Sequence, residues 1–286
     1  MLTSQKGRAK ARLFFIHLSL VVGLLSCPSC SNADVTKNDM VRYGLNTRVR
    51  SYRVVQELCR NTCPDSNFEV YFNDNARVDS LVYLFADGTP RVREIYEYNH
   101  KGQLERISTF DMGGRDSGIY CYEYDGAFTS SCILFGINND EISRWNHSND
   151  GKEIVRTEYF EDGVLQTDTH STYDGNFRQD EVFDADGTLI LRSSYEYYDL
   201  SEKLPLSIQS DDLHITLDYN SFGYPISCRG ALVDAVGGFY LDNSEDDETS
   251  VRYEYELDGC GNWIKRFAFL GDSKEPSEIV VRELRY

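Results

Sequence analysis

Residues 150–189 read DGKEIVRTEYFEDGVLQTDTHSTYDGNFRQDEVFDADGTL, and Asp-Gly recurs in them every 12 residues, at Asp150-Gly151, Asp162-Gly163, Asp174-Gly175 and Asp186-Gly187. Asp-Gly is a strong signal for a two-residue hairpin, because a type I′ turn needs positive φ at both central residues. A period of 12 leaves about eight residues of strand between short turns, so successive turns fall on opposite edges of an antiparallel meander. The same pair recurs at Asp87-Gly88, Asp125-Gly126 and Asp258-Gly259. Between turns, apolar and polar residues alternate, most plainly in Val251-Arg252-Tyr253-Glu254-Tyr255-Glu256. Tyr-Glu-Tyr occurs at Tyr96–Tyr98, Tyr122–Tyr124, Tyr195–Tyr197 and Tyr253–Tyr255. Alternation turns these tyrosines to one buried face, and Glu97, Glu123, Glu196 and Glu254 to the other.

Extending the period over residues 41–286 gives about 20 strands, too many for a flat sheet, since wide sheets twist and curl or split. The expected fold is all-β: an antiparallel meander of β-hairpin repeats, curled or two-layered into an extended sheet. The turn signal lapses at Phe135–Trp145 and again at Gly230–Ser250, which carries the acidic run NSEDDETS.

Residues 1–26 precede this region and have the layout of an export signal. Lys6, Arg8, Lys10 and Arg12 form a basic head, and Leu13–Leu25 is an apolar run too short to span a bilayer. Leu24-Leu25-Ser26-Cys27 resembles the lipobox of bacterial lipoproteins, which implies lipidation at Cys27, with Cys30 the weaker candidate. Residues 27–40 are polar and aperiodic and read as a tether. Pro28 replaces the aspartate of inner-membrane retention, so the resemblance implies an outer-membrane lipoprotein of the bacterial envelope, its leaflet unassigned. Its membrane contact would be the N-terminal lipid.

Charge narrows the partners. The chain has 29 Lys and Arg against 47 Asp and Glu, a net −18, and without residues 1–26 the balance falls to −22. Such a surface repels phosphate backbones, which excludes nucleic acid as a partner. Export permits disulfides. Centring the turn after Asp125 between Gly126 and Ala127 opposes Cys121 to Cys132, Tyr120 to Ile133 and Tyr124 to Thr129, within bridging distance. A turn at Asp125-Gly126 itself would set Cys121 against Ser130 and leave both thiols free.

Several segments resemble the YD repeat of RHS-type proteins: Tyr98-Asn99-His100-Lys101-Gly102-Gln103-Leu104, Phe160-Glu161-Asp162-Gly163-Val164-Leu165 and Phe183-Asp184-Ala185-Asp186-Gly187-Thr188-Leu189. Gly44–Ser51 and Tyr255–Tyr286 are similar to the two ends of small YD-repeat lipoproteins, and MORN-type hairpin repeats are a neighbouring resemblance. Large RHS proteins enclose a C-terminal toxin. Here the repeats run to Tyr286, so no cargo is expected.

No motif carries catalysis. His-Glu-x-x-His, Gly-x-Ser-x-Gly and Walker-type loops are absent from the sequence. His100, His147, His170 and His214 read as solvated surface residues. Asp184-x-Asp186-Gly187 and Ser244–Glu248 hint at calcium but are more simply a turn and a solvated loop, so no metal or cofactor is expected. The resulting expectation is a noncatalytic, membrane-anchored β-repeat lipoprotein presenting an extended surface to an envelope protein or glycan. The rival is an envelope carbohydrate hydrolase with an unrecognised carboxylate pair. A pocket joining two carboxylates in opposed environments would favour the rival.

Overall fold

The computed structural model describes residue 39 and residues 43–59, 67–197, 204–210, 213–230, 232–233, 239–240 and 250–286. The signal segment 1–26, Cys27, Cys30 and nearly all of the tether lie outside the described residues, as does most of the acidic insertion.

The chain is a succession of strands: β1 Ser51–Cys59, β2 Phe68–Phe72, β3 Val78–Leu84, β4 Pro90–Tyr98, β5 Leu104–Asp111, β6 Asp116–Asp125 and β7 Phe128–Phe135. Then come β8 Glu141–Asn149, β9 Ile154–Glu161, β10 Val164–Asp174, β11 Phe177–Asp184, β12 Leu189–Tyr197, β13 Pro205–Ser210, β14 Leu213–Tyr219 and β15 Pro225–Arg229. The short β16 Leu232–Val233 and β17 Phe239–Tyr240 pair only with each other, and β18 Ser250–Leu257, β19 Trp263–Leu270 and β20 Glu278–Arg285 complete the order. Each ring strand pairs antiparallel with its predecessor, β15 passes directly to β18, and β20 pairs with β1 from Ser51↔Arg285 to Cys59↔Glu278. Eighteen strands therefore form a closed barrel, not the curled or two-layered open sheet expected from the repeat. Closure leaves no unpaired sheet edge, a condition the repeat length does not encode.

One face is buried around the whole ring, as Val54, Val70, Thr129, Val182, Ile215, Cys228 and Val251 show. It is the inner face, because a concave wall crowds its side chains together while a convex wall splays them. Tyr122, Tyr195, Tyr197 and Tyr253 are buried on it, Tyr96, Tyr98, Tyr124 and Tyr255 partly so, and the central glutamates of all four units face outward. The expected opposition of tyrosine and glutamate is present in every unit.

The turns differ from the expected two-residue Asp-Gly hairpins. At Asp162-Gly163 both φ values are positive, +49° and +75°. Elsewhere the commoner connection is an Asx-opened loop. Asn99 Oδ1 accepts the backbone N–H groups of Lys101 and Gln103, and Asp184 Oδ1 accepts those of Asp186 and Thr188. Asn73, Asp111, Asn220 and Asp258 repeat the arrangement. In most of these loops a glycine at the fourth position takes positive φ. The Asp-Gly of Asp186-Gly187 is thus the second half of a longer turn. Phe135–Trp145 does contain a turn, closed by Gly136 N to Asp140 O, with Asn139 at φ +62° in place of glycine.

The hairpin of β6 and β7 turns at Gly126-Ala127 and pairs Tyr124 with Thr129, as the preferred register requires. A bulge between Glu123 and Tyr124 then shifts the ladder by one residue, pairing Tyr122 with Cys132 and Cys121 with Ile133. A one-residue slip exchanges faces. Cys121 and Cys132 therefore sit on opposite sides of the wall and do not face each other, which corrects the expected register.

Candidate functional site

The inner wall is where the barrel's chemistry concentrates, and it divides into sectors. Apolar and tyrosine side chains dominate from β12 through β20 and β1 to β8 in three clusters. Between β8 and β12 the buried inward residues are mostly small hydroxyls: Ser143, Thr157, Thr167, Thr169, Ser171 and Ser193. Trp145 stacks on Tyr159 beside them, with centroids 5.1 Å apart. His147 points inward too, its Nδ1 3.0 Å from Thr157 Oγ1, and burial pulls its pKa down to about 4. It is an interior residue, contrary to the surface reading, whereas His100, His170 and His214 are exposed.

Charged groups on this face are mostly neutralised in place. Arg178 makes two 2.8 Å bonds to Asp180, whose Oδ1 also accepts from Ser171 at 2.7 Å, and its guanidinium packs over Tyr195 and Tyr173. Arg266 pairs with Glu278 at 2.9 Å. Burial pushes the Glu94 carboxyl up, partly offset by the Tyr96 hydroxyl donating to it at 2.8 Å. Glu94, Asp180 and Glu278 are thus each engaged, on β4, β11 and β20. They do not form the facing carboxylate pair that the hydrolase reading needs. Among the described residues no group of three or more His, Cys, Asp or Glu could hold a metal ion. Asp184 and Asp186 belong to an Asx turn, and Ser244–Glu248 lies outside the described residues.

Arg282 is the exception. It is buried, and among the described residues no carboxylate pairs with it. Its guanidinium lies 3.7 Å from the Trp263 ring centre and 4.8 Å from that of Tyr52. It donates to the backbone oxygens of Tyr43 and Gly44, and burial lowers its pKa to about 10. Those oxygens belong to the segment entering β1, which runs along the inner wall near one rim. The signal for these residues is an arginine on the apolar side of an alternating strand: Arg282 shares its side of the wall with Val280 and Leu284. Composition does not reveal this.

The outer wall is charged at mid-strand. Cross-strand pairs include Arg53–Glu69, Arg106–Glu97, Arg156–Asp168 and Arg192–Glu181, and Lys265 pairs with Glu57. A membrane-spanning barrel presents an outward apolar band about 25 Å tall, and an Arg or Lys at the bilayer midplane costs about 2–4 kcal/mol. A wall carrying this many cations matches water, not hydrocarbon. Among the described residues no helix is long and apolar enough to cross a membrane, which says nothing about strands.

No protein-family model matches the chain, and no curated protein matches it. Similar solved structures include a porin-like protein from Bacteroides uniformis, at 10% identity and TM-score 0.41, covering 83% of this chain and 96% of that one. A porin-like protein from Bacteroides vulgatus has 11% identity and TM-score 0.41, covering 84% and 99%. The Tc holotoxin pore of Photorhabdus luminescens has 11% identity and TM-score 0.22, covering 76% of this chain and 16% of that one. The YD-repeat and MORN-type resemblance is corrected accordingly: no family model supports it, and the repeats close on themselves. The extended lipoprotein binding surface is corrected with it, since closure turns the tyrosine face inward and leaves no open sheet to present.

Proposed function

We propose that this chain is an exported, non-enzymatic β-barrel that works through its enclosed space, as a water-immersed chamber for a small uncharged polar solute. The observation that carries the reading is the sorting of polarity between the two faces of one closed wall. Hydroxyls and aromatic rings point inward, and the inner ion pairs Arg178–Asp180 and Arg266–Glu278 are closed on themselves. Arg282 is held by backbone oxygens and aromatic rings, and the exposed ion pairs among the described residues lie on the outer face. Rings of 16–18 strands are wide enough to enclose water when round, unlike eight-stranded barrels filled by their own side chains. Export is carried by residues 1–26.

Trp145 and Trp263 are the chain's two tryptophans, and both lie on the inner side of the ring. Entry of a solute therefore reads out as a change in emission. Purified chain is expected to stay monodisperse without detergent, to leave phospholipid vesicles tight, and to show saturable emission changes with a graded series of uncharged polyols. A chain that needs detergent and makes vesicles permeable would replace the chamber with a membrane pore. Tight vesicles with no saturable response to any polyol would remove the solute from the reading.

A further inference from the structure

The ring closes where its first and last strands meet, and no hairpin joins them. β1 and β20 share a long ladder, but the pair is attached to its neighbours more weakly. β1–β2 and β19–β20 each join through four described residue pairs, as do β13–β14 and β14–β15, with three at β15–β18, whereas β10–β11 joins through eight. A second device spans both weak ladders from inside. Asp39 Oδ2 accepts the Val78 N–H at 2.8 Å and the Tyr98 hydroxyl at 3.1 Å, anchoring one end to β3 and β4. Tyr43 packs edge-on against Tyr52 and Phe72, and Arg282 holds the carbonyls of Tyr43 and Gly44. Beyond β20, the Tyr224 hydroxyl lies 3.0 Å from the carbonyl oxygens of both Gly44 and Gly261 and accepts from Asn46 Nδ2 at 2.9 Å. Asn262 is fully buried, accepts the Asn46 N–H at 2.6 Å and donates to Thr47 Oγ1 at 2.9 Å. Leu45 and Val49 fill the core beneath.

We infer that Tyr43–Arg50, anchored by Asp39, is a latch that splints the β1/β20 pair into the ring, and that releasing it opens the ring at β1–β2 and β19–β20. The geometry separates this role from general packing. The latch touches β3 and β4 on one side of the closing pair, and Tyr224 and the β18–β19 turn on the other. Its polar contacts are largely between side chains and backbone across both gaps. Backbone carbonyls held by a buried arginine without a carboxylate form a contact that can be exchanged for water without stranding a second charge. This inference is independent of what the barrel encloses.

Hydrogen–deuterium exchange resolved by strand tests it, using two matched hydroxyl deletions in the full chain. Tyr224→Phe removes the hydroxyl that bridges the latch. Tyr219→Phe removes one that donates to Pro205 O at 2.8 Å, away from the latch. Losing about one net hydrogen-bond contribution corresponds to about a tenfold rise in local opening. Tyr224→Phe is expected to speed exchange about tenfold in β2, β19 and the β1/β20 pair and to leave β8–β10 unchanged, while Tyr219→Phe leaves the closing strands unchanged. Asn262→Ala should act in the same strands and more strongly. The latch is overturned by identical patterns for the two tyrosine variants, by uniform acceleration around the ring, or by unchanged rates in both Tyr224→Phe and Asn262→Ala.

Discussion

The sector from β3 to β12 and the sector from β13 through the closing strands to β2 use one repeat but are held differently. In the first, consecutive strands join through five to eight residue pairs, and each connection is a local turn. In the second, β13–β14 and β14–β15 share four described pairs each and β15–β18 three. Contacts more than 170 residues apart, such as Asn46 with Tyr224 and Asn262, reinforce it. Local hairpins order few residues before hydrogen bonds form, whereas closing the ring orders the whole chain first. The difference predicts that β3–β12 depends on turns and interior pairs and the closing sector on its latch.

The largest expected effect within the regular sector comes from its interior ion pair. Asp180→Ala would strand Arg178, whose side chain is 14% exposed, inside the wall. A loss of about 3–5 kcal/mol is expected in urea unfolding. A loss below about 1 kcal/mol would mean that water reaches the guanidinium and that this sector is as loosely built as the other.

Acid should weaken the same sector through His147. Its folded pKa of about 4 lies below the ordinary 6.5, so between those values the unfolded chain binds more protons and stability falls as pH falls. Between pH 7 and pH 5 this contributes about 1–2 kcal/mol of destabilisation. His147→Gln should flatten that part of the pH profile of the unfolding midpoint, and an unchanged profile would place the imidazole in contact with water.

Turn chemistry gives a smaller effect. Gly187 holds φ +80° with open space around its α-carbon, so Gly187→Ala meets backbone strain alone. About 1 kcal/mol is expected. Gly230→Ala, on the other side of the comparison, places a new methyl 2.2 Å from the His214 carbonyl oxygen at φ +87° and should cost clearly more. Equal effects would erase the contrast between an open turn and a crowded connection.

The smallest effect belongs to the outer wall. Arg192 is 55% exposed beside Glu181, and Arg192→Ala should shift stability by less than about 1 kcal/mol, a difference that vanishes in 1 M salt. A larger, salt-independent loss would show that this wall is not in water.

Much of the regular sector was legible because its information is local. Alternation placed Tyr195 and Glu196 on opposite faces, and Asp162-Gly163 marked its own turn. The Cys121–Cys132 pairing failed because one extra residue, Ser130, enters the ladder as a bulge, and no neighbouring side chain announces it. A lone histidine in a polar sequence reads as solvated, whereas the burial of His147 depends on strands β8 and β9 presenting it and Thr157 to the interior together. Arg282 and Asn262 stood out only within the Tyr255–Tyr286 likeness to YD-repeat lipoproteins, which does not hold and assigned them no role. Their role exists only where residues more than 200 positions apart meet.

By itself, the sequence determined the strand length, the antiparallel order, the face each Tyr-Glu-Tyr unit presents and the acidity of the chain. These follow from two-residue periodicity, turn preference and charge, all properties of a few adjacent residues. The tertiary structure alone decided that the meander meets its own beginning, that its tyrosine face becomes an interior, and that a segment before β1 crosses the closure. Those outcomes depend on twist and register accumulated over eighteen strands, where a single bulge shifts every later partner.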